Sequence, residues 1–499
     1  MKNIYKIFIP TLIFAGLFLS CDDELNQLPY DEFATENAYV TAQDFENGLR
    51  GVYSALTRGG LYGSSDAGSL LSAPDILADN VTLSQRGRFS KRTLHDYEYN
   101  SNSTLGGTYS DAYALIFRAN QILYYVQNFE GESKNNVIAE AKTLRALAHF
   151  NLVTFFGKIP TQSGDANSSL GVAYVQEPDP NIEPSRLSVS ESYNKILDDL
   201  LDAKSKINPS NPVGRMNRDA VNVLLSRVYL YMGEWQNSID AANQVDYQIA
   251  SRDNVVGVWE DTNRDGLIFY IPNVDPILGN SIGVTWSQGS MTSLIPEYVT
   301  SFQLNNLFAG DDIRKEAYTF DGLSGSNSYN GIKKLFGRPG QTNGEVDYKI
   351  FRAAEVYLNK AEAYYNLGDE SAARSALDEL RNRRYLNPPN GETATDLRDA
   401  IRLERRLEFA FEYQRFFDLK RWGLSVNRTN AGDQADDAER HPGPDRRAGR
   451  GGDEGGMRRR RIRPQHVAGR PLDRREGRGM SDNPKGVEIR VGGDLIAGA

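Results

Sequence analysis

The stretch VIAEAKTLRALAHFNLVTFF at positions 137–156, followed by GKIP at 157–160, decides the fold class. Ala141, Leu144, Ala148, Leu152 and Phe155 fall on one stripe at helical spacing. Gly157, with Pro160 just beyond, is a normal helix stop. Moving outward, the same period runs through Phe45, Leu49, Val52 and Leu56 until Gly59-Gly60, and again from Asp111 to Val126. It continues from Ser188 to Ile207 and from Asp219 to Met232. From about Tyr247 to Gly344 short apolar runs such as Gly266–Ile271 alternate with Gly, Asn, Ser and Asp, which predicts hairpins and long loops. Helical spacing returns over Phe351–Leu367, Ser371–Arg384 and Thr395–Trp422. The expected fold is mainly α, with an irregular loop-rich lobe containing short strands.

Four of these helices end on glycine, at Gly157, Gly233, Gly368 and Gly423. Two continue into a second helix, from Glu234-Trp235 to Val245 and from Asp369 to Arg383, where Ala241, Ala242, Ala373 and Ala376 allow close packing. Helix, glycine turn and helix resemble the tetratricopeptide unit, in which glycine lets the chain reverse. The irregular spacing makes these helix pairs a scaffold within a larger fold rather than a regular solenoid.

The chain has 499 residues, with 57 Lys and Arg against 66 Asp and Glu for a net charge of -9, which argues against a nucleic-acid partner. One cysteine excludes an internal disulfide framework and a cysteine-built metal site, and four histidines make a histidine-rich centre improbable. That cysteine is well placed. Lys2 and Lys6 precede an apolar run from Ile7 to Leu19, too short to span about 30 Å of hydrocarbon. Ser20 and Cys21 follow, then Asp22, Asp23 and Glu24. The segment resembles a bacterial lipobox, with residues 1–20 a signal peptide and Cys21 the lipid-attachment site; the alternative is an ordinary secretion signal. After Gly423 the chain carries no Phe, Tyr or Trp and is rich in Arg and Gly, so residues 424–499 read as a disordered or non-native tail. Its Arg458–Arg461 run has no interleaved rings for stacking on bases.

Catalytic constellations are poor. Glu404, Arg405, Arg406, Glu408, Glu412, Arg415, Asp418 and Arg421 could include an acid–base pair, but their spacing reads as a salt-bridged helix face. His149 beside the apolar stripe reads as a packing residue, and His95 has no ligand partner nearby in sequence. Asp261, Asn263, Asp265 and Gly266 match the first half of a calcium loop, but Pro272 stands where a bidentate glutamate belongs, which favours a turn leading into a strand. Rings on polar loops are better binding candidates: they stack on sugar faces while Asp and Asn take hydroxyls. The candidate ligand-binding residues are Tyr97, Tyr99 and Trp286, with Asp79 and Asn80; each ring has the alternative of covering a local apolar patch. No catalytic residue, metal or cofactor is expected.

Taken in order, several motifs resemble the SusD/RagB family of Bacteroidetes outer-membrane nutrient-binding lipoproteins. They are Leu25–Pro29, the helix from Gly48 to Tyr53, Asp79-Asn80, and Arg118 to Leu123 after Tyr113. The strongest is Glu140–Phe150 running into Phe156–Pro160, and Arg352–Ala363, Glu404–Glu412 and Arg415–Gly423 close the series. The resemblance covers residues 21–423, with an N-terminal part to about 245 and a loop-rich and C-terminal part from about 246. It implies tetratricopeptide-like helix pairs carrying a loop-rich lobe that holds the ligand. It also implies a lipid-anchored protein of the outer membrane, exposed at the cell surface, that captures oligosaccharides or other nutrients. Delivery would be to a SusC-like TonB-dependent transporter, without catalysis. Two other readings stay open on the residues alone: a tetratricopeptide-type surface adaptor for peptides or proteins, and a glycoside hydrolase using two carboxylates.

Overall fold

The structure is a computed structural model that describes residues 38–65, 68–98, 105–274, 281–341, 343–428 and 432–435, with the backbone of 487–491 and 494–498. Cys21, the Leu25–Pro29 motif, Tyr99 and most of the tail lie outside the described residues.

Thr41 starts α1 (Ala42–Leu56): its side chain accepts the Asp44 N–H at 3.3 Å while the Asp44 carboxylate accepts the Thr41 N–H at 2.7 Å. Phe45, Leu49, Val52 and Leu56 turn inward, as their spacing requires. After α2 (Ala73–Ile76), β1 (Val81–Leu83) and α3 (Arg92–His95) come two long helices, α4 (Gly106–Tyr125) and α5 (Lys134–Phe156). α5 is the deciding stretch of the sequence. It is buried on nearly every face, because α1, α4 and α6 (Val189–Lys206) all pack on it. Ser188 and Glu191 cap α6 reciprocally, as Thr41 and Asp44 cap α1. The glycine-turned pairs follow: α7 (Arg218–Met232) with α8 (Trp235–Ala242), and later α12 (Ala353–Leu367) with α13 (Glu370–Arg381).

Gly233 and Gly368 reverse the chain with φ of 78° and 83°, the left-handed conformation that only glycine adopts without strain. Gly157 departs from that expectation. Its φ is −117°, and it is needed for space instead, since a Cβ there would stand 3.0 Å from the Val153 carbonyl oxygen. The predicted helix Thr395–Trp422 is also corrected, into α14 (Ala394–Glu408) and α15 (Arg415–Arg421). Between them the buried Asp75 carboxylate accepts the N–H groups of Phe411 and Tyr413, both at 3.1 Å, and holds the two residues at φ of 65° and 55°. A continuous helix would have sent those donors to its own carbonyls.

The middle of the chain forms the predicted loop-rich lobe from α9 (Val255–Trp259), β2 (Leu267–Ile271), β3 (Ser287–Ser290), β4 (Ser293–Pro296) and β5 (Tyr298–Thr300). It continues with α10 (Phe302–Asn305), α11 (Ile313–Tyr318), β6 (Thr319–Ser324), β7 (Asn327–Ile332) and β8 (Tyr348–Arg352). All its sheets among the described residues are two-stranded and antiparallel: β1 with β5, β2 with β8, β3 with β4, and β6 with β7. β9 (Val487–Val491) and β10 (Asp494–Gly498) make a last antiparallel pair. Packing does not stop at Gly423, the boundary expected from composition. Arg428 donates to the Ala78 carbonyl at 2.6 Å and to those of Ile76 and His95, and the Asp433 carboxylate accepts the Gln85 N–H at 2.8 Å. No described helix is long and apolar enough to cross a membrane.

Candidate functional site

Strand β1 ties the Asp79–Tyr97 segment to β5 in the register Val81 with Thr300 and Leu83 with Tyr298. Asp79 and Asn80 sit at the root of that connection, buried, where they stitch the scaffold. Asp79 takes Arg415 through two bonds, of 2.7 and 2.9 Å. Burial alone would raise its carboxyl, but Arg415 and Arg406 hold it below the usual range. The Asn80 amide donates to Asp75 at 2.9 Å and its oxygen accepts from Arg406 at 3.0 Å. Trp286 is completely buried. Tyr298 meets it edge-on at 6.2 Å and Phe411 tilts against it at 6.1 Å, so polar sequence neighbours hide an apolar socket. Asp79, Asn80 and Trp286 are thus all buried.

Tyr97 is partly buried and packs against the main core. Its hydroxyl donates to the Leu77 carbonyl at 2.5 Å and the Arg428 guanidinium lies over its ring at 4.8 Å, which fixes the ring. Glu297, fully buried, gathers the same segment by accepting from Arg88 Nε at 2.8 Å and from Ser90 Oγ at 3.0 Å. Arg88 itself keeps 47% of its side chain exposed. Next to it stands Phe89, at a φ of 58°, exposed. The hairpins β3–β4 and β6–β7 add Met291, Ile295 and Leu323, all exposed and apolar. The Leu323 N–H donates to the Met291 carbonyl at 2.8 Å and joins the two hairpins, over a small core of Leu294, Val299 and Tyr329. Sequence reasoning missed this rim and Arg428. Its signal was large apolar residues set singly among Ser, Gly and Thr in hairpin sequence, as in Met291 and Ile295.

The other candidates have structural partners. The charged set from Glu404 to Arg421 does form ion pairs, but between elements and in the interior rather than along one helix face. Arg352 and Arg384 each bond the Glu408 carboxylate at 2.9 Å, and Arg314 bonds Glu404 at 2.7 Å. Burial would raise the Glu408 carboxyl; Arg384 and Arg352 hold it well below the carboxylate range instead. Its oxygens are fully used, which leaves no free acid–base pair there. His149 is a packing residue. Its Nδ1 lies 3.0 Å from the Arg145 carbonyl, its Nε2 accepts the Val175 N–H at 3.1 Å, and burial pushes it down to about 3. His95 lies 2.7 Å from Asp96. Asp261 accepts from Lys349 and from the Asp347 N–H, both at 2.7 Å, while Asp265 accepts from the Ser251 N–H and from Asn254. Those oxygens serve protein donors, and no cluster among the described residues could hold a metal ion.

Comparison with known proteins matches two family models. One, described as the SusD family, covers residues 301–463, and the other, described as starch-binding associating with outer membrane, covers residues 31–230. The first runs past Gly423 into the compositionally distinct tail. The SusD-like protein P2 of Formosa agariphila is 25% identical over 480 residues, covering 84% of this chain and 91% of the relative. A SusD superfamily crystal structure from Bacteroides thetaiotaomicron superposes with a TM-score of 0.70 at 26% identity, over 80% of this chain and 93% of that one. A SusD-like carbohydrate-binding protein from Bacteroides vulgatus has the same fold at 21% identity, with a TM-score of 0.68 over 78% and 85% of the two chains.

Proposed function

This chain belongs to the SusD/RagB family, and on that premise we propose that it is a cell-surface glycan-binding lipoprotein that passes nutrient oligosaccharides to a SusC-like TonB-dependent transporter. Cys21 carries the lipid that holds it to the outer membrane, and the loop-rich lobe takes the sugar. The observation that carries this reading is the pair of family models matching both ends of the fold, one of them described as starch-binding. The lobe's form supports it: Tyr97 with its ring held by Arg428, and the exposed Phe89, Met291, Ile295 and Leu323, offer rings and apolar side chains at the surface. Tyr99 extends the same segment in sequence. Trp286, Asp79 and Asn80 keep that surface in place. The protein binds without breaking bonds, a role consistent with the acids of its charged helices being engaged by arginines.

Affinity electrophoresis of the purified protein through gels containing single polysaccharides tests the binding. Retardation by at least one polysaccharide, with its chain length unchanged afterwards, supports the reading, and equal mobility in all of them opposes it. Growth on radiolabelled palmitate tests the anchor: label is incorporated by the native sequence and lost in Cys21→Ser.

A further inference from the structure

A cavity lies in the helical scaffold, bounded by α8, α12, α14 and α15, with a volume of about 220 Å³. Three half-exposed rings, Trp235, Tyr365 and Trp422, contribute to its walls. Its one buried acid is already satisfied. Glu362 receives both terminal nitrogens of Arg421 and the Trp422 Nε1 at 2.8 Å; burial would raise it, but Arg421 holds it at about 2. Arg402 is the opposite case. Its guanidinium lies 4.9 Å from the Trp422 ring centre, and among the described residues it donates no hydrogen bond and forms no ion pair. Desolvation is the main influence and lowers its pKa; Glu362 and Asp399 favour its charge from a distance, while Arg398 and Arg421 oppose it.

A half-buried guanidinium stacked on a ring and lacking an acceptor is arranged to take a planar anion through two parallel bonds. The volume falls below the roughly 300–1,000 Å³ of sites that enclose drug-sized ligands, so the cavity admits one ring rather than a chain. We propose that this cavity binds a carboxylated sugar ring, a hexuronate unit, with its carboxylate on Arg402 and its ring against Trp235 and Tyr365. The site is separate from the loop-rich lobe and does not depend on that surface binding a glycan.

Two of the four tryptophans, Trp235 and Trp422, stand at this cavity, so intrinsic fluorescence reports on it. The full chain is titrated with D-galacturonate and, in parallel, with its neutral counterpart D-galactose. The expected result is a saturable change with galacturonate and at least ~10-fold weaker affinity for galactose, the factor that one lost charge-assisted contact of about 1.4 kcal/mol produces. Arg402→Gln is expected to lose that preference at an unchanged melting temperature. Trp235→Ala, at the first residue of α8, is expected to weaken galacturonate binding independently, which keeps the test valid if Arg402→Gln unfolds. Equal affinity for the two sugars, native affinity in both variants, or no saturable response to galacturonate overturns the proposal. Failure of polysaccharide binding at the loop-rich lobe leaves each of these readouts unchanged.

Discussion

Glu408 shows how single residues organise the interior. Its carboxylate is fully buried and bonded by Arg352 and Arg384, with Arg314 at 3.7 Å. Removing that charge leaves buried guanidinium groups uncompensated, so Glu408→Gln is expected to destabilise the fold by about 3–5 kcal/mol in denaturant titrations with an unchanged slope. His149 makes the complementary case, a base kept neutral by burial at about 3. Unfolding lets it protonate near 6.5, so stability is complete above that pH and falls as the pH drops toward 3, by about 2 kcal/mol between pH 7 and pH 5. His149→Gln is expected to flatten that part of a melting-temperature profile. The packing role of His149 was legible from its place beside an apolar stripe. The partners of Glu408 were not, because Arg314 and Arg352 lie far away in the chain and local spacing carries no sign of them. Trp286 misled for a related reason: Ser and Gln beside it suggested exposure, but its socket is built by Tyr298 and Phe411.

At the scale of elements, period and stop signals placed most helices within a few residues; in α1 and α6 the apolar stripe is the face they bury, while α5 and α7 are buried well beyond it. Two boundaries were not readable. The break between α14 and α15 depends on Asp75, more than 300 residues earlier, taking two backbone donors. The glycine ending α5 looks like the other helix-ending glycines in sequence but serves close packing. Gly368 isolates the backbone requirement, because a Cβ there would meet nothing within 4 Å while φ is 83°. Gly368→Ala is therefore expected to cost about 1–2 kcal/mol from backbone strain alone, with Gly368→Asn costing less, as read by thermal unfolding.

Across the whole molecule, a helical scaffold carries a lobe whose two-stranded hairpins are too small to stand alone and are held by β1, Glu297, Asp79 and Arg428. The mainly α architecture and the loop-rich lobe could be read from the sequence. The rim could not, because exposure of Phe89, Met291 and Leu323 is set by how separate hairpins meet. On this account the rim is the glycan surface and the buried acids serve stability. The most direct measurement is titration calorimetry of the purified protein with a polysaccharide selected by gel retardation, followed by sizing of the recovered carbohydrate. The expected result is saturable heat, affinity at least ~10-fold lower in a Phe89→Ala, Met291→Ala double variant of unchanged melting temperature, and carbohydrate of undiminished length. Undiminished affinity in that variant, or carbohydrate returned in shortened pieces, would contradict the account.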